Sequence, residues 1–135
     1  MTDAEVVAFI GSFEDASLPR AEWTHAKHLV MALWYLSQYP RDEATRRIRD
    51  GIRRLNARHG NEGGYHETIT LAWVALITRF LAGREPGESI ATRARALLAE
   101  LAARDVLMRY YSRELLLSDE ARRGWVAPDR EPLEP

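Results

Sequence analysis

Apolar residues recur along this chain at helical spacing, and the breaks in that spacing divide it into about six segments. Thr2 is placed to cap a first helix in which Val6, Val7, Phe9, Ile10 and Phe13 form an apolar stripe, ending before the Leu18-Pro19 break. A second helix is expected to open at Thr24, another good N-cap, and to run through His28 and Leu36 until Pro40 stops it. Its apolar residues surround the axis, which places it at the centre. The third, Asp42 to about His59, carries Ala44, Ile48, Ile52 and Leu55 on one face and arginines on the others.

Three glycines within Gly60-Asn61-Glu62-Gly63-Gly64 oppose both helix and strand and predict a loop. A fourth helix, from about Tyr65 to Ala82, holds Ile69, Trp73, Leu76, Ile77 and Phe80 and is the second central element. Trp34 and Trp73 are both expected to be largely inaccessible. Ser89 opens a fifth helix through Ala103, with a continuation past Asp105 towards Tyr111, and Ser118 caps a last short one over Asp119 to Arg123. From Trp125 onward Pro128, Pro132 and Pro135 predict an extended tail with Trp125 as its anchor. No segment alternates as a strand does. The fold class is therefore all-α: one domain built as a bundle of four to five principal helices.

A length of 135 residues suits one domain with a core of its own, needing neither disulfide nor structural metal. The chain has no cysteine, which removes thiolate sites and fits a reducing compartment. Its acidic start, Met1-Thr2-Asp3-Ala4-Glu5, lacks a secretory pattern, and the apolar run Ile69 to Ala82 is too short to span a bilayer, so a cytoplasmic location without membrane partners is expected. Net charge is −1, which argues against nonspecific nucleic-acid binding. No nucleophile elbow, phosphate-binding loop or dinucleotide fingerprint is present.

Candidate chemistry gathers around the histidines. Short connections make the second and fourth helices parallel, so their starts share one end of the bundle. His25 and His28, spaced i and i+3, open one; His66 and Glu67 open the other, and His59 arrives from the third helix. Three neutral imidazoles with an open position suit a divalent transition metal (Zn, Fe, Ni or Mn). His25, His28 and His66 are the expected ligands. Glu67 is the expected catalytic base or fourth ligand. Such a site implies a small-molecule ligand and, for an enzyme, a metal-dependent hydrolase or oxygenase. The rival is an interaction module with structural histidines, whose arginine-rich third helix binds a partner.

The segments Trp23-Thr24-His25-Ala26-Lys27-His28-Leu29 and Gly64-Tyr65-His66-Glu67-Thr68 carry a likeness to a known group. With them, and with Tyr110-Tyr111-Ser112 and Trp125-Val126, the chain resembles small bacterial helical proteins containing Trp-Thr-His-x-x-His-Leu and Gly-Tyr-His-Glu-Thr segments. The resemblance implies a site at these histidines but brings no activity with it.

Overall fold

A computed structural model describes residues 1–135. The α-helices are α1 (Asp3–Glu14), α2 (His25–Gln38), α3 (Arg41–Arg58), α4 (Glu67–Ala82), α5 (Ile90–Leu101), α6 (Arg113–Leu116) and α7 (Asp119–Arg123), with short 3-10 turns at Arg20–Glu22 and Val106–Arg109. There is no strand. No helix is long and apolar enough to cross a membrane.

Hydroxyl side chains start most of these helices by accepting N–H groups that have no partner inside the helix. Thr2 accepts from Glu5, whose carboxylate in turn accepts the Thr2 N–H in a capping box. Thr24, Ser89 and Ser118 accept the N–H groups of Lys27, Thr92 and Ala121 at the starts of α2, α5 and α7. At the end of α3, Gly60 takes a φ of 72°, the left-handed conformation that favours glycine and lets the chain leave the helix.

Twenty-eight buried residues form one apolar cluster. Helices α2 and α4 supply its middle with Leu29, Val30, Met31, Leu33 and Tyr35 from one, and Ala72, Trp73, Val74, Leu76 and Ile77 from the other. The α1 stripe closes over it through Val6, Phe9, Ile10 and Phe13. Phe13 lies against Gly51 of α3 so closely that a Cβ at position 51 would overlap its ring.

Several details depart from the periodicity. Val7 is exposed, off the buried face of α1. Trp34 is only half-buried, while Tyr35 takes the inward position and its hydroxyl donates to Glu14 Oε2 at 2.8 Å. Helix α5 stops at Leu101, and a separate 3-10 turn carries Leu107 inward ahead of the buried Tyr110 and Tyr111. Helix α6, capped by Ser112, has no counterpart in the periodic reading.

The residues after Gly124 form no helix and run along the body. The Thr68 hydroxyl donates to the Gly124 carbonyl and accepts the Val126 N–H, and the Tyr111 hydroxyl donates to the Val126 carbonyl. Trp125 packs edge-on against Tyr111 but stays half-buried, and Leu133 is the tail residue that reaches the core.

Candidate functional site: a cavity beside the start of α2

A partly enclosed cavity of about 460 Å³ opens where α2, α3 and α4 meet. Helix α2 contributes His25, His28, Leu29, Met31 and Ala32; α3 contributes Ile48 and Ile52; α4 contributes Ile69, Thr70 and Trp73; Arg104 follows α5. The volume lies in the range of small-molecule sites, and the mostly apolar wall with a few polar groups has the composition of one. The lining contains no carboxylate.

Because Thr24 caps α2, His25 occupies its first position and His28 comes one turn later on the same face. The His28 Nδ1 is 2.7 Å from the Thr24 carbonyl, an oxygen that only accepts, so Nδ1 carries the proton and Nε2 a lone pair. The His28 ring stacks on Trp23 at 3.6 Å between centroids. Nε2 has no partner in the chain. The His25 ring meets Trp73 edge-on at 5.5 Å, and its own Nε2 is sealed in without a hydrogen bond.

Both imidazoles are biased towards the neutral form. Burial pulls His25 below its usual value, and the Arg104 charge adds to the effect. Burial does the same to His28 against its bond to Thr24, which favours the charged ring. Arg104 itself is exposed and makes no ion pair in the chain. Nothing local in the sequence marks it. Only the path from α5 into the following turn brings it beside His25.

The other expected site residues are engaged elsewhere. His66 is the N-cap of α4: its Nδ1 accepts the Ile69 N–H at 3.1 Å, so Nε2 holds the proton and donates to the Leu116 carbonyl at 2.7 Å. Neither nitrogen has a free lone pair. Glu67 receives a bidentate pair from Arg49 at 2.9 and 2.8 Å and the Tyr65 hydroxyl at 2.5 Å, and it does not line the cavity. Burial raises its carboxyl, but those donors outweigh burial and hold it below the ordinary range. His59 Nε2 lies 2.8 Å from the Leu18 carbonyl. The expected convergence of four histidines is thus reduced to His25 and His28, and no three His, Cys, Asp or Glu side chains are placed to hold a metal.

No family model, curated protein or solved structure matches the chain.

Burial depresses His25, His28 and His66, and this fixes the sign of the pH dependence. Unfolded imidazoles titrate near 6.5, whereas the folded ones stay neutral to lower pH, so between those values the unfolded chain binds more protons. Urea midpoints are expected to be flat above about pH 7 and to fall as pH drops from about 6.5 towards 5. A midpoint that rises on acidification through that window contradicts the burial of these rings.

Proposed function

We propose that the protein binds a small, mainly apolar organic molecule in the cavity between α2, α3 and α4. The supporting observation is the pairing of an apolar wall with polar groups that the chain leaves unpartnered: His28 Nε2, His25 Nε2 and the Arg104 guanidinium. Closing such a pocket over an apolar body releases water at about 25 cal/mol per Å². The polar groups then fix orientation. His28 accepts a hydroxyl or N–H from the ligand, and the same lone pair is placed to serve as a general base if the bound molecule reacts.

A library of small aromatic and aliphatic compounds, screened by thermal shift on wild type and on Ile52→Trp, tests this reading. The variant fills the cavity from its α3 wall. Compounds are expected to raise the wild-type melting temperature and to lose that effect in Ile52→Trp. If no compound stabilises the wild type, or if hits keep their effect in the variant, the reading fails.

A metal-dependent reading has one observation in its favour: the proton of His28 Nδ1 is tied to a backbone carbonyl, as is usual for metal-binding histidines. His25 and His28 then supply two nitrogens to Zn, Fe, Ni or Mn. The bound molecule has to complete the coordination, because His66 is committed to α4 and Leu116. A metal held there would suit the hydrolase or oxygenase chemistry expected from the sequence. Near-stoichiometric metal in tag-free protein supports it, and ligand binding by metal-free protein supports the first reading. The partner-binding third helix has less behind it: Arg47 pairs with Glu43 and stacks on Tyr39, Arg49 holds Glu67, Arg53 lies over Tyr65, and Arg54 reaches the Glu14 carbonyl.

A further inference from the structure

The electrostatics of the cavity name the class of molecule it takes, provided that the binding reading above holds. Every fixed polar feature there is positive or neutral. Arg104 brings the only formal charge, and no acidic side chain lines the wall to compensate it. His25 also opens α2, and the N–H groups of His25 and Ala26 have no backbone partner. Those free donors add the positive end of a 14-residue helix to the field of Arg104. A cation meets this combination unfavourably. An anion gains from both sources without displacing any existing ion pair.

The remaining wall restricts the rest of the ligand. Trp73, Met31, Ile48 and Ile52 offer an aromatic face and flexible or branched side chains, and the indole N–H of Trp73 is the one strong hydrogen-bonding group among them. A phosphate or sulfate ion alone would leave this surface wet. We propose that the ligand is an organic acid, with an aromatic or aliphatic body against Trp73 and Ile48 and its carboxylate at the mouth, paired with Arg104. The guanidinium is suited to this because its parallel N–H groups match the two carboxylate oxygens. Its freedom from other partners means that binding costs no competing ion pair.

Matched pairs of probes separate this inference from the underlying one. Phenylpropionate is compared with phenylpropanol, and octanoate with octanol, by calorimetry on the full chain at neutral pH and low salt. Each acid is expected to bind about tenfold tighter than its alcohol, the scale of one charge-assisted hydrogen bond. In Arg104→Gln the ratio of acid to alcohol affinity falls to within about twofold, while the melting curve of the unliganded protein stays as in wild type, since Arg104 makes no ion pair in the chain. Arg104→Lys keeps part of the preference. Equal binding of acid and alcohol, or an acid preference that survives in Arg104→Gln, overturns the organic-acid assignment and leaves the cavity reading standing. If neither acids nor alcohols bind, both fall.

Discussion

Replacing Phe13 with alanine is expected to destabilise the protein by about 3–5 kcal/mol, the usual cost of emptying a buried aromatic site. Phe13 is fully buried; it packs on Trp23 at 5.4 Å and on Tyr35 at 6.1 Å, and its ring occupies the space that a side chain at Gly51 would need. The contact therefore joins α1 to α3 through an absent side chain. Gly51→Leu alone drives new carbons into that ring and is expected to cost at least about 1–3 kcal/mol by overpacking. The double variant Phe13→Ala with Gly51→Leu refills the vacated space. Chemical denaturation should show it to be more stable than the sum of the single losses implies. Strict additivity would mean that the two positions do not share one volume.

The second large effect is expected at His66. Its ring does two jobs that no neighbour duplicates, capping α4 through the Ile69 N–H and satisfying the Leu116 carbonyl of α6. Alanine removes the cap and leaves a buried acceptor unmade, a combined loss of about 2–4 kcal/mol. Asparagine, itself a good N-cap, should recover the cap part only. Thermal melts of the two variants measure this. Ligand binding at the cavity should survive His66→Asn, because His66 does not line it. A His66→Ala protein as stable as wild type would show that the ring is not holding these two backbone groups.

The helices were largely legible because their signals are local. Thr2, Thr24, Ser89 and Ser118 cap as their positions suggest, and all-round apolarity marked α2 and α4 as central. What escaped depends on residues far apart in the chain. The His66 acceptor on Leu116 lies 50 positions away, and Glu67 is claimed by Arg49 from 18 positions upstream. Spacing alone therefore made His66 and Glu67 look available when tertiary contacts occupy both. His25 and His28 share a cavity because i, i+3 spacing on one helix fixes their proximity whatever the rest of the chain does. Trp73, read as core, is both buried and part of the cavity wall. Trp34 and Tyr35 are adjacent and both aromatic, and periodicity could not decide which of them turns inward.

The central claim, that small organic molecules occupy the cavity beside the start of α2, is tested most directly by isoleucine methyl spectra recorded during ligand titration. The chain has isoleucines at positions 10, 48, 52, 69, 77 and 90, of which Ile48, Ile52 and Ile69 line the cavity and the others do not. Titration with phenylpropionate should shift the Ile48, Ile52 and Ile69 methyl signals saturably and leave Ile10, Ile77 and Ile90 in place. Saturable shifts centred on Ile10, Ile77 or Ile90, or no saturable shift at the three cavity methyls, would contradict the account.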